Sequence, residues 1–243
     1  HCYALTQPKN PPNRSLETSS REDIDNFLQR VRSTPLACRP TGRGRLLFAM
    51  DATASREPLW DRACHIQGQM FEETDTLGGL DVQLVHYRGF MQFSSTPWTS
   101  NAETVLKHMT AIRCAAGQTQ IARVLSHATK QGQPVNALVF VGDAMEEDPD
   151  VLCKLAGELG ILRITVFIFQ DGYDPITERT FRNVARLSYG AWCRFDANSA
   201  AQLRDLLCAV AVYAAGGHKA LEQFGHKRGG TVLKHSHQIG KKN

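Results

Sequence analysis

Residues 46–55 read Leu46-Leu47-Phe48-Ala49-Met50-Asp51-Ala52-Thr53-Ala54-Ser55. Five apolar residues in a row are too few for a helix of their own. They suit a strand buried on both faces, as in the middle of a parallel sheet. The run then stops at a carboxylate, followed by hydroxyls at alternate positions. In open α/β sheets ligands bind beyond the carboxyl ends of the strands, where the winding reverses. An oxygen-rich segment directly after a central strand therefore points to a site as well as to a fold.

Toward the N-terminus, Arg39–Arg45 is a polar connector and Pro35 ends a helix. Ser19 and Glu22 stand at capping-box spacing, and Ile24, Phe27, Leu28 and Val31 form one apolar helical face. Residues 1–18 are polar with three prolines and are expected to be mobile. Toward the C-terminus, strand and helix patterns alternate. A helix over 57–77 ends at Gly78-Gly79, and a strand over Asp81–Tyr87 turns at Arg88-Gly89 into a second over Phe90–Ser94. Helices near 101–112 and 118–130 precede a strand over Ala137–Val141, and a helix over Pro149–Leu159 precedes a strand over Ile164–Phe169. A helix over Asp174–Ser188, a short strand over Trp192–Phe195 and a helix over Ser199–Ala214 complete the body.

The pattern predicts an α/β fold: a doubly wound, mostly parallel six-stranded sheet with one antiparallel edge strand and helices on both faces. Three regions are expected. Residues 1–44 form an N-terminal extension with one amphipathic helix, 45–215 the domain, and 216–243 a basic tail expected to be disordered.

The overall charge of +4 is unevenly spread. Residues 217–243 hold six Lys/Arg against the single acid Glu222, leaving the body nearly neutral. Such a tail offers nucleic acid only nonspecific contact. Seven cysteines without a C-x-x-C pair fit neither a zinc ribbon nor a redox motif. The longest apolar run, Leu206–Ala215, is half of the ~20 residues a membrane span needs. Residues 1–20 contain no apolar stretch of the secretory kind, so a cytoplasmic protein is expected.

Three strand-end loops carry the candidate chemistry: Asp51-Ala-Thr53-Ala-Ser55, Gly117-Gln-Thr119, and Gly142-Asp143. Two carboxylates and three hydroxyls, with no His or Cys, make an all-oxygen set suited to a hard cation, Mg²⁺ before Mn²⁺ or Ca²⁺. Each piece alone has a plainer explanation as a helix cap or a turn; their coincidence on one rim favours a metal. The acidic run Glu146–Asp150 nearby is better explained as a solvated helix start. His86, His108 and His127 lie on separate elements and are expected to be surface or satisfied residues.

The set resembles the metal-ion-dependent adhesion site (MIDAS) of von Willebrand factor type A (VWA) domains: D-x-S-x-S after the first strand, a Thr in a later loop, and an Asp after the fourth strand. The resemblance covers about residues 45–215 and is nearest in texture to the small intracellular bacterial members. It implies Thr53, Ser55 and Thr119 as direct hydroxyl ligands, with Asp51 and Asp143 as anchors acting largely through water. Thr53 stands where the family usually has Ser, and Ala54 and Ala144 replace frequent glycines.

The function expected is a Mg²⁺-dependent (or Mn²⁺-dependent) interaction module that binds an Asp or Glu of a partner protein, and not an enzyme. The alternative is a Mg²⁺-dependent phosphohydrolase or phosphotransfer domain with Asp51 as nucleophile. Positions 52 and 54 are Ala and 53 is Thr, so no second acid or base stands beside Asp51. P-loop, dinucleotide and nucleophile-elbow motifs are missing from the sequence.

Overall fold

A computed structural model describes residues 21–34, 43–56, 79–195, 205 and 207–215. The expected helix over 57–77, the first turns of the helix over 199–214, and the segments 1–20 and 216–243 lie outside the described residues. Six strands form one sheet: β1 (Gly44–Asp51), β2 (Leu80–Arg88), β3 (Gln92–Ser95), β4 (Ala137–Gly142), β5 (Thr165–Asp171) and β6 (Ala191–Phe195). Their order is β3-β2-β1-β4-β5-β6, with β3 antiparallel at one edge and every other pairing parallel. The winding reverses between β1 and β4, which lie side by side with Met50 opposite Val141.

The helices are α1 (Arg21–Ser33), α2 (Ala102–Ala111), α3 (Ile121–Thr129), α4 (Pro149–Ile161), α5 (Pro175–Leu187) and α6, residues 207–215. Asp-Pro steps set two starts. Asp148 and Asp174 cap α4 and α5 by accepting from the N–H groups of Asp150 (2.9 Å) and Thr177 (2.7 Å), and the following prolines lack the N–H that a first turn leaves unpaired. Asn101 caps α2 in the same way, accepting from Thr104 N at 2.7 Å.

Both faces of the sheet are covered, which is why β1 reads as a continuous apolar run. Leu46, Phe48 and Met50 face one core with α1, α2 and α6; Leu47 and Ala49 face the other with α3, α4 and α5. Helix α1, though in the N-terminal extension, belongs to the first core. Phe27 is 1% exposed and tilts against Phe167 and Phe169 at centroid distances of 6.0 and 5.2 Å.

Several boundaries move by one to three residues from the sequence expectation, and two of them have a specific cause. Strand β3 begins at Gln92, not Phe90, because Gly89, Phe90 and Met91 form a three-residue turn with Gly89 and Met91 at φ 54° and 58°. Phe90 looks like a strand residue by composition, yet it sits at the tip and is 81% exposed. Helix α3 begins at Ile121, not Gln118, because Thr119 is held in the preceding loop by Glu146 and Glu147.

His86 on β2 is not a surface residue. Its Nδ1 is buried without a hydrogen-bond partner, and burial, with Arg88 nearby, lowers its pKa to about 4. The unfolded chain takes up a proton near pH 6.5 that the folded protein refuses until about pH 4. Its contribution is therefore intact above pH 6.5 and lost as pH falls through that window. The expected loss is about 1–2 kcal/mol after allowing for partial exposure. Urea denaturation of wild type and His86→Gln at pH 7 and pH 4.5 checks this: the wild type should lose more, and equal losses would show that His86 does not titrate in this way.

Candidate metal centre

Asp51 ends β1, is 0% exposed, and sits beside the winding reversal. Its Oδ1 accepts from Thr53 N at 2.7 Å, a turn in which the side chain bends the chain away from the strand. A short 3₁₀ turn over Ala54–Arg56 follows and brings Ser55 Oγ within 3.1 Å of Thr53 Oγ1. Alternate residues leaving one strand thus share one side of a tight loop.

On the neighbouring strand, Gly142 ends β4 and Asp143 follows. A Cβ on Gly142 would lie 2.7 Å from the Phe140 ring and 3.7 Å from Asp51 Cβ. A side chain there would crowd the ring and fill space next to Asp51, so glycine leaves the crevice open. Asp143 is near enough for its charge to act on Asp51.

A third loop is tied to the first by backbone. Ala115 N donates to Ala52 O at 3.1 Å, and Gly89 N donates to Ala115 O at 3.2 Å. Gly117 approaches Gly89 so closely that a Cβ would lie 1.9 Å from its carbonyl oxygen. This loop leads to Thr119, whose bonds go to the acidic run. Thr119 Oγ1 donates to the Glu147 carboxylate and accepts from Glu146 N at 3.0 Å. The structure therefore groups Asp51, Thr53 and Ser55 with Asp143 in charge range, while Thr119 is held by Glu146 and Glu147.

The acidic run departs from its expected role. Asp148 and Asp150 do stand at the start of α4, but Glu147 serves a different helix. Its carboxylate accepts from the N–H groups of Ile121 and Ala122 (3.2 Å for the latter), capping α3, whose own N-cap residue Gln120 makes no side-chain cap bond. Unpaired first-turn N–H groups favour an anion, and here the chain supplies its own.

Electrostatically the rim is short of positive charge. Burial raises the Asp51 pKa against the opposing hydrogen bond from Thr53, and the Asp143 charge adds to the rise. Asp51 Oδ2, Asp143 Oδ1 and Tyr87 Oη are all buried without a hydrogen-bond partner. Tyr87 Oη lies near enough to Asp51 for each to perturb the other, without hydrogen-bond geometry. Burial holds its pKa well above 10, reinforced by the charges of Asp51, Glu147 and Asp143. Unsatisfied buried oxygens are costly, and a small cation among them removes that cost. The donor set fits one: two carboxylates with hydroxyls from Thr53 and Ser55. Among the described residues no group of three or more His, Cys, Asp or Glu side chains is placed to hold a metal. Any cation here therefore depends on those hydroxyls.

Sequence reasoning missed Glu147 and Tyr87. An acid four residues past a site Asp is a signal for the first only once the loops are known to meet.

No family model matches the sequence, and no curated protein does. Solved structures do. The VWA domain of SpRpn10 superposes with a TM-score of 0.55 at 12% identity, over 68% of this chain and 94% of that one. The fold is that of a VWA domain. The pilus adhesin SpaC from Lactobacillus rhamnosus GG in its open conformation matches at TM-score 0.55 and 10% identity, over 76% of this chain and 31% of that chain. Proximal thread matrix protein 1 from the mussel byssus, in a structure with a zinc-occupied MIDAS motif, matches at 0.54 and 12%, over 73% and 48%. This chain thus spans less than half the length of the latter two. At these identities the likeness is one of fold. No helix among the described residues is long and apolar enough to cross a membrane.

Proposed function

We propose that this VWA-like domain is an interaction module that holds a divalent cation at the Asp51 rim and, through it, a carboxylate of a partner protein. The observation that carries this is the trio of buried, unpartnered oxygens on Asp51, Asp143 and Tyr87 at the point where the sheet's winding reverses. Thr53 and Ser55 would hold the ion directly, Asp51 and Asp143 would anchor it, and Thr119 would join on release from Glu147. Mg²⁺ or Mn²⁺ suits the all-oxygen set, and the zinc in the mussel protein's MIDAS motif makes a divalent ion plausible.

With hydroxyls among its ligands, a bound ion keeps net positive charge and supplies an open position for an acidic side chain. The chain's own groups do the rest. Gly142 keeps the crevice clear, the Thr53 N–H fixes the Asp51 carboxylate, and the buried Tyr87 hydroxyl lies close to that carboxylate. Asp51 acts as an anchor and not as a nucleophile, because one oxygen is committed to Thr53 N and the residue is fully buried. The exposed acids Glu146 and Asp148 disfavour a broadly acidic partner and favour a single carboxylate.

A fluorescein-labelled peptide with one Glu, compared with its Gln counterpart, tests this by anisotropy. The Glu peptide should bind at least about tenfold tighter in millimolar Mg²⁺, and both EDTA and Thr119→Ala should erase the difference. Equal binding of the two peptides in Mg²⁺ would remove the carboxylate mechanism.

A further inference from the structure

The β2–β3 turn on the same rim displays Phe90 and Met91, 81% and 62% exposed. Two adjacent large apolar side chains at a turn tip contribute nothing to either core. Met91 stands there at φ 58°, a conformation uncommon for its residue type. The tip is nevertheless fixed. Arg123 Nη1 donates to Met91 O at 3.0 Å, Gln120 Nε2 to Gln92 O at 3.1 Å, and Arg88 Nη1 to Arg113 O at 2.6 Å.

Charge around the tip is one-sided. Arg88 and Arg123 bond the turn and the loop beside it, Arg113 lies in that loop, and none of the three forms an ion pair among the described residues. Asp148 and Asp150 stand at the start of α4, while Glu146 and Glu147 reach back to Thr119 and the first turn of α3, next in sequence to Arg123. The tip itself is thus apolar with arginines beside it, and the nearest acids are engaged by Thr119 and by the N–H groups of α3.

We propose that Phe90 and Met91, with Arg88, Arg113 and Arg123 beside them, form a second docking point for an apolar side chain on the same partner segment whose carboxylate the Asp51 rim takes. This rests on the function proposed above and adds the partner's chemistry. Ala52 N bonds Tyr87 O at 2.9 Å, so the site loop runs alongside the end of β2, and Phe90 lies three residues further on. At about 3.3 Å per residue the tip stands ~10 Å from the crevice. An extended segment covers that gap in about three residues. The partner is therefore a protein segment with a Phe- or Leu-sized residue about three positions from an Asp or Glu, and with neutral or acidic residues toward the arginines. A polyphosphate strand fits less well, because Glu146 and Glu147, held at Thr119 and the start of α3, would repel a run of phosphates.

Short labelled peptides with one Glu and one Phe test this in millimolar Mg²⁺. A spacing of about three residues should bind about tenfold tighter than the same peptide with Gly for Phe, or with Glu and Phe adjacent, as expected for burying one large apolar side chain. A variant carrying Phe90→Ser and Met91→Ser should lose that advantage. It should keep both the Mg²⁺-induced rise in melting temperature and the preference for Glu over Gln, since these exposed residues touch neither. Arg113→Glu should weaken every acidic peptide. An advantage that ignores spacing, or survives in the double variant, overturns the proposal, as does binding of an oligo(dT) strand in preference to the peptides. If the Phe advantage persists in EDTA and needs Phe90, the corner docks partners and the metal–carboxylate mechanism is what fails. If Glu binding needs Mg²⁺ while Phe adds nothing, only this inference fails.

Discussion

Millimolar Mg²⁺ is expected to raise the melting temperature of this protein by about 5–10 °C, and Asp51→Asn is expected to abolish the rise. A ligand present at 100 times its dissociation constant stabilises by about 2.7 kcal/mol. For a domain of this size each kcal/mol shifts the midpoint by about 2–4 °C. Asn is the informative substitution because its side-chain oxygen can still accept from Thr53 N, preserving the turn that depends on Asp51 Oδ1. Only the charge is removed. The variant should also be no less stable than wild type in EDTA near neutral pH. The folded-state pKa of Asp51 is raised, chiefly by burial. Such a group's stabilising contribution is complete below its unfolded pKa and is lost as pH rises through the folded one. Burial thus penalises the charged form of Asp51 in the metal-free wild type, a penalty that Asn does not carry. Differential scanning fluorimetry in EDTA and in Mg²⁺ reads both effects. A full Mg²⁺ response from Asp51→Asn would place the ion elsewhere.

The reason this rim was legible in the sequence is that most of its signals are local. Leu46–Met50 must be a strand buried on both sides, Asp51 must leave it, and the Asp51–Thr53–Ser55 alternation lies within five residues. The Asp-Pro steps at 148–149 and 174–175 start α4 and α5 by the same short-range chemistry. The mostly parallel sheet with one antiparallel edge follows from alternation of strands and helices together with one tight turn at Gly89.

What was not legible depends on distant chain segments meeting. Phe27 reads as part of an amphipathic face, but nothing local says that the face packs on Phe167 and Phe169. Tyr87 reads only as the last residue of a strand, yet its hydroxyl matters because Asp51 ends the neighbouring strand beside it and Asp143 follows the next. The three-residue turn at Gly89–Met91 was obscured by Phe90, whose apolar side chain imitates a strand residue while standing in solvent. Glu147 was assigned to its own helix because α4 is two residues away in sequence, whereas α3, the helix it caps, begins 26 residues earlier.

Glu147→Ala is expected to cost about 3–4 kcal/mol in the metal-free protein, a large loss for one polar residue. The carboxylate accepts from Ile121 N, Ala122 N and Thr119 Oγ1, and it is half-buried. Hydrogen bonds to a charged acceptor contribute about 1.5–3 kcal/mol each, and loss of an ordinary side-chain cap costs about 0.5–2 kcal/mol. The three bonds share one carboxylate, so they do not add fully. Gln120 makes no side-chain cap bond of its own, leaving the first turn of α3 to water once Glu147 is removed. Glu147→Gln should be milder, because an amide oxygen still accepts but without charge. The same substitutions separate two roles of Thr119. With Glu147 in place, its hydroxyl is committed as a donor to a carboxylate; without it, the hydroxyl is free to turn toward the Asp51 rim. The variants should therefore lose stability in EDTA yet gain as much from Mg²⁺ as the wild type, or more. Urea denaturation with and without Mg²⁺ measures both quantities. A loss below about 1 kcal/mol would show that water replaces the cap at little cost. A Mg²⁺ response that disappears with Glu147 would instead place its carboxylate among the groups that hold the ion.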